Sequence, residues 1–148
     1  MKKQPTLRER ALRLLARREH SSAELRRKLA AHLAPEDDLE SLLEDLLRRK
    51  LLSDERYAES RVYSLSRKFG AARIAHELRA KGLDKGLAEE ASKAARATEV
   101  ERAREVWRRK FPLAPRTREE RARQMRFLQS RGFSFDAIRA VVFGPGED

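Results

Sequence analysis

Cysteine is absent from the 148 residues. That excludes a disulfide framework, a thiolate nucleophile and any Cys-ligated metal. Asparagine is absent and glutamine is scarce, so the side chains that read adenine bidentately are nearly missing. Only nine residues are aromatic. No apolar run exceeds a few residues, whereas a transmembrane helix needs roughly 20. Met1-Lys2-Lys3-Gln4-Pro5 is basic and no apolar stretch follows it, so no secretory signal is expected and the protein is placed in the cytoplasm. No Gly-x-x-x-x-Gly-Lys cradle occurs. His20, His32 and His76 are the only histidines, and none stands four residues from another. They are expected as solvated or half-buried rings on helix faces. The expectation is a protein with no catalytic set, no metal and no cofactor.

What is abundant is charge. Lys and Arg total 35 against 24 Asp and Glu, a net charge of +11, and 40% of residues are charged, against about 25% in a typical soluble domain. The excess is spread evenly, at +4, +3 and +4 over residues 1–52, 53–97 and 98–148. A basic tail would have gathered it at one end. A molecule facing a long anionic surface distributes it.

Helical periodicity dominates the apolar residues. Leu7, Ala11, Leu14 and Leu15 share one helix face. Ser21 to Glu24 reads as a capping box opening a helix through Leu25, Leu29 and Leu33, stopped by Pro35. Glu36, Asp37 and Asp38 are expected in the first turn of a third helix carrying Leu39, Leu42, Leu43, Leu46 and Leu47. The pattern recurs with Ala58, Val62, Leu65 and Phe69, then Ile74 and Leu78 ending at Lys81-Gly82, then Leu87, Ala88, Ala91 and Ala95. It recurs again after a capping box at Thr98–Glu101. Val100, Ala103, Trp107 and Phe111 form one stripe, Met125 and Leu128 another after a box at Thr117–Glu120, and Phe135, Ile138, Val141 and Val142 a last one capped by Ser134. Tyr57 and Trp107 are expected in the core. Gly82 and Gly132 fall where a left-handed helix terminator is wanted.

Lys81-Gly82-Leu83 and Arg131-Gly132-Phe133 stand 50 positions apart, and Leu25/Leu29 and Ile74/Leu78 stand 49 apart. The fold class is therefore read as all-α: three tandem three-helix units, helix-turn-helix-like, in a curved, elongated array. The units are taken as 1–52, 53–97 and 98–143, with a tail at 144–148 closed by Gly144-Pro145-Gly146. A monomer is expected.

The candidate binding residues are the cations that lack nearby acids. One group is Arg67, Lys68, Arg73, Arg79 and Lys81. The other is the stretch 102–131, which is net +8 and includes Arg108, Arg109, Lys110, Arg116, Arg118, Arg121, Arg123, Arg126 and Arg131. Arginine pairs with phosphate and carboxylate alike. The N-terminal cations Arg8, Arg10 and Arg13 interleave with Glu9, Glu19 and Glu24 and read as a solvated, ion-paired face. The later stretch is expected to dominate partner binding.

Three motifs carry a resemblance. Leu51-Leu52-Ser53-Asp54-Glu55-Arg56-Tyr57-Ala58, then Gly70-x-x-Arg73-Ile74-x-x-Glu77-Leu78-x-x-Lys81-Gly82-Leu83, then Arg126-Phe127-Leu128-x-x-Arg131-Gly132-Phe133-Ser134-x-Asp136-x-Ile138 follow the order and spacing of the bacterial RecX regulators. The resemblance covers roughly 7–143. Ser53 replaces a frequent Asp, and Met125 is one position off an apolar site. The resemblance implies a non-enzymatic regulator that enters the groove of the RecA–DNA filament. There it hinders filament extension, ATP hydrolysis and strand exchange, and so modulates recombination, repair and the SOS response. It also implies binding of single- and double-stranded DNA. The residues by themselves leave a second reading open, a stand-alone, sequence-tolerant nucleic-acid-binding protein. A membrane-surface role is disfavoured because every apolar stripe is needed for packing.

Overall fold

The computed structural model describes residues 3–144. They form nine α-helices: α1 (Leu7–Arg17), α2 (Ser22–Ala30), α3 (Leu39–Arg48), α4 (Asp54–Leu65), α5 (Ala71–Ala80), α6 (Lys85–Ala97), α7 (Glu99–Lys110), α8 (Arg118–Ser130) and α9 (Phe135–Val142). No strand occurs among the described residues. Gly144 is the last of them, so the remainder of the expected tail lies outside.

Side-chain oxygens open most of these helices. Ser21, Ser53, Thr117 and Ser134 each accept from a backbone N–H three residues on, filling one of the four donors a helix start leaves unpaired. The reciprocal half of the expected boxes is missing. Glu24 turns to Arg18, and Glu120 accepts from the Arg116 N–H. Thr98 makes no cap bond at all; its hydroxyl accepts from Arg102. α2 stops at Ala30, three residues short of Leu33. A turn at 34–37, in which Asp37 accepts from the Ala34 N–H at 2.8 Å, holds Pro35 outside any helix. The acids expected in the first turn of α3 therefore precede it, with Asp38 as its cap.

Each trio of helices closes its own apolar core. Leu25, Leu29, Leu43 and Leu46 lead the first, Tyr57, Ile74 and Leu78 the second, and Leu128, Phe133 and Ile138 the third. Trp107 packs at the edge of the third and donates its indole N–H to Gln124 at 2.6 Å. The α7 stripe is rotated from expectation. Glu99, Ala103 and Val106 are its buried residues, while Val100 is exposed.

Polar junctions join the repeats, and the two junctions share one plan. At the first, the Asp54 carboxylate opening α4 accepts from the Ser22 N–H at 2.7 Å and from its hydroxyl at 2.9 Å. At the second, the Glu99 carboxylate opening α7 accepts from the Ala71 N–H at 2.9 Å. Ser22 and Ala71 are the first residues of α2 and α5. In both cases the next repeat caps the middle helix of the one before it, and the acid sits at the positive end of the helix dipole. The glycine turns complete the plan. The Ser21 hydroxyl donates to the Lys81 carbonyl at 3.4 Å, and the Gly70 N–H donates to the Arg131 carbonyl at 2.8 Å. Gly82 (φ +89°) and Gly132 (φ +83°) take the left-handed conformation, and each presses its bare Cα side on the preceding repeat.

Candidate nucleic-acid interface

Helix C-termini favour cations, because unpaired carbonyls accumulate there. The ends of α4, α7 and α8 converge at the junction of the second and third repeats. Arg67 and Lys68 follow α4, Arg109 and Lys110 end α7, and Arg131 caps α8. These five cations line one pocket of about 320 Å³ with Val106 and Phe127, and no carboxylate lines it.

Aromatic rings hold the cations in place. Arg131 lies 5.0 Å from the Phe127 ring and 5.7 Å from the Phe69 ring. Lys110 lies 5.5 Å from Phe127, and Arg73 lies 4.8 Å from Phe69. Such contacts orient a cation without neutralising it. Arg109 also donates to the Arg67 carbonyl at 2.7 Å. Fixed cations with no carboxylate among them suit a phosphodiester chain.

The structure does not gather the other candidate residues into this pocket. Arg79 and Lys81 lie near the first junction, at the end of α5. Arg116 and Arg123 line a separate cavity with Phe111 and Glu120. Arg118 and Arg126 are exposed on α8, and Arg108 stands 3.7 Å from Glu105. Arg121 lies over the Phe143 ring at 4.7 Å. At 100° per residue, a basic run along a helix is divided among several faces. Arg102 is no free cation either. Its guanidinium donates to the carbonyls of Ser66, Phe69 and Ala95, and burial pushes its pKa below the usual arginine value.

A second basic site was missed. Arg10, Arg13 and Arg17 on α1 join Lys28 and His32 around Leu14 and Leu29 in a pocket of about 370 Å³, again with no carboxylate lining it. The reading of Arg10 and Arg13 as members of an ion-paired face needs correction. Glu24 binds Arg18 at 2.6 Å, Glu19 binds Arg56 at 2.8 Å, and Arg8 goes to Asp45 at 2.6 Å. Arg10, Arg13 and Arg17 have no ion pair among the described residues. Their spacing at i, i+3 and i+7 was the available signal.

His20 also departs from expectation. It is buried between α1 and α2, with Nδ1 3.1 Å from the Arg18 carbonyl and Nε2 3.0 Å from Lys28 Nζ. That geometry fits a neutral ring with its proton on Nδ1, and burial lowers its pKa. Beside it, Arg18 holds the Glu24 carboxylate down at about 2.

No helix among the described residues is long and apolar enough to cross a membrane. Family models describing the first, second and third three-helix domains of RecX match residues 8–46, 53–91 and 97–142. "Regulatory protein RecX" of Leptothrix cholodnii is 50% identical over 139 residues, spanning 94% of this chain and 88% of the relative. Its namesake in Herminiimonas arsenicoxydans is 45% identical over 95% of this chain and 93% of the relative. The crystal structure of RecX from Lactobacillus salivarius superposes with a TM-score of 0.80 at 25% identity, over 93% of this chain and 92% of the other. With three domain models matched in order and 50% identity to a relative across 94% of its length, the chain belongs to the RecX family.

Proposed function

We propose that this chain is a non-enzymatic regulator that binds the RecA recombinase filament on DNA and inhibits its extension, ATP hydrolysis and strand exchange. Through that action it tunes recombination, repair and the SOS response. Its working units are the three repeats, taken at 1–52, 53–97 and 98–143. The observation that carries the DNA-facing part is the acid-free pocket of Arg67, Lys68, Arg109, Lys110 and Arg131. The pocket around Arg10, Arg13 and Arg17 gives a second hold on a polyanion. The remaining candidates, among them Arg73, Arg79, Lys81, Arg108, Arg116, Arg118, Arg121, Arg123 and Arg126, add field around these two. The RecA partner rests on the family and on the regulatory name its relatives carry.

Sequence-specific reading is disfavoured by the junctions. A recognition helix contacts bases with its N-terminal residues. Here the first turns of α2 and α5 are closed by Asp54 and Glu99 of the next repeat. The test is ATP hydrolysis by RecA on single-stranded DNA with the purified protein at equimolar ratio. A clear fall in rate is expected, with no turnover by the protein alone. Lys68→Ala/Lys110→Ala, two exposed cations, should weaken the inhibition. An undisturbed RecA rate refutes the proposal.

A further inference from the structure

An open groove of about 670 Å³ lies on another face of the second junction, between α4, α6 and α7. Val62, Ala91, Ala94 and Ala95 contribute its apolar lining. Tyr63 stands on its rim, 72% exposed, with Arg67 packed 5.6 Å from its ring. An aromatic left this open beside an apolar lining is the residue type that anchors protein interfaces.

The polar rim is unequal in its bonding. Two of its three arginines already donate elsewhere, and the third, Arg67, lies against the Tyr63 ring. Arg102 donates to three backbone carbonyls, and Arg109 donates to the Arg67 and Glu105 carbonyls. Its carboxylates are less engaged. Glu59 and Glu101 make no ion pair among the described residues, and Glu105 meets only Arg108 at 3.7 Å. An occupant therefore meets three carboxylates with little or no pairing against two arginines whose donors are engaged, a rim that favours a ligand bringing its own cations. In a chain of net charge +11, a cationic ligand is repelled from most other surfaces.

We propose that this groove docks an amphipathic helix of a protein partner, apolar residues inward and Lys or Arg on its flanks. A helix is the fitting form. The described residues hold no sheet edge to extend, and grooves between helices take apolar anchors at i, i+3, i+4 and i+7. The site is distinct from the DNA-facing pocket and does not depend on that assignment. The two sites share only Arg67 and Arg109.

The test uses a fluorescein-labelled 14-residue peptide of Leu and Lys in helical register, with a Leu–Glu counterpart of the same register. Fluorescence anisotropy with the full chain should show saturable binding of the Leu–Lys peptide and none of the Leu–Glu peptide. Glu101→Lys/Glu105→Lys should weaken binding at least tenfold. Glu36→Lys/Glu44→Lys, exposed acids of the first repeat that raise net charge equally, should change it less than twofold. Tyr63→Ala and Ala94→Arg, both at exposed positions, should each weaken binding at least fivefold while circular dichroism stays unchanged. Equal losses from the two double reversals, binding of the Leu–Glu peptide, or no saturable binding each overturn the proposal. So does a dimer in sedimentation equilibrium that Ala94→Arg dissociates, since a second copy would then own the groove.

Discussion

Replacing Gly132 by alanine tests whether the second junction is held by backbone contact. Gly132 has φ +83°, a conformation that costs an L-residue roughly 1–2 kcal/mol. A Cβ there would also stand 2.6 Å from Arg73 N and 2.9 Å from Arg73 Cα. Those atoms belong to the first turn of α5 and cannot swing aside as a side chain can. The turn must then part from α5. The Gly70 N–H to Arg131 carbonyl bond and the Ala71 N–H to Glu99 bond loosen together. Buried groups left without partners cost about 1–3 kcal/mol each, so two of them and the conformational cost together come to about 3–8 kcal/mol. With a urea m-value of about 1–3 kcal/mol/M, the midpoint should fall by at least about 1 M. Trp107, the only tryptophan, reports on the third repeat by fluorescence, while far-UV circular dichroism reports on all helices. Gly144→Ala is the control. It has φ +76° but nothing within 4 Å of a new Cβ, so only the conformational cost applies. If Gly132→Ala loses no more stability than Gly144→Ala, the close approach of turn and helix is not holding the repeats together.

Other outcomes follow from particular contacts. Arg102→Met strips the donors from three carbonyls and should cost about 2–4 kcal/mol in thermal or urea unfolding. Arg18 depresses the Glu24 carboxyl to about 2, so its contribution is full above the usual glutamate pKa and is lost as pH falls from there toward 2. Glu24→Gln should accordingly be less stable than the native chain at pH 7, by about 1–3 kcal/mol after allowing for the half-exposed Arg18, and the gap should close near pH 2. DNA affinity should fall steeply with salt and differ little among unrelated oligonucleotides of equal length. Arg10→Ala/Arg13→Ala/Arg17→Ala should lower the log–log salt slope by about 2–3 if each cation meets a phosphate. That triple should lose at least as much DNA affinity as Arg121→Ala/Arg123→Ala/Arg126→Ala, whose members are scattered over different surroundings.

The helices were legible because their signals are local. A hydroxyl at Ser21 or Ser134, a glycine at 82 or 132, and leucines three and four residues apart act within one or two turns of chain. The residues that assemble the repeats and the site act across longer separations, and periodicity carries no such information. Glu99 lay unremarked inside the expected Thr98–Glu101 capping box, yet its partner is Ala71, 28 residues earlier. Its inward turn goes with the rotation of the α7 stripe that leaves Val100 exposed. Charge was misread for the same reason. Glu24 and Glu19 look like neighbours for Arg10 and Arg13 along the chain, but Arg18 and Arg56 take them. Which cations stay free is settled only once distant helices have claimed the acids. The stretch 102–131 shows the converse. Its net charge was plain, but backbone carbonyls engage Arg102 and a ring face engages Arg121. The pocket that remains draws two of its five cations, Arg67 and Lys68, from the preceding repeat. The interface is thus a property of the junction. Opening that junction should disperse the five cations even though none of them is replaced, so Gly132→Ala should lower DNA affinity under conditions where each repeat still holds its helices. Unchanged affinity in that variant would mean that single repeats bind DNA on their own.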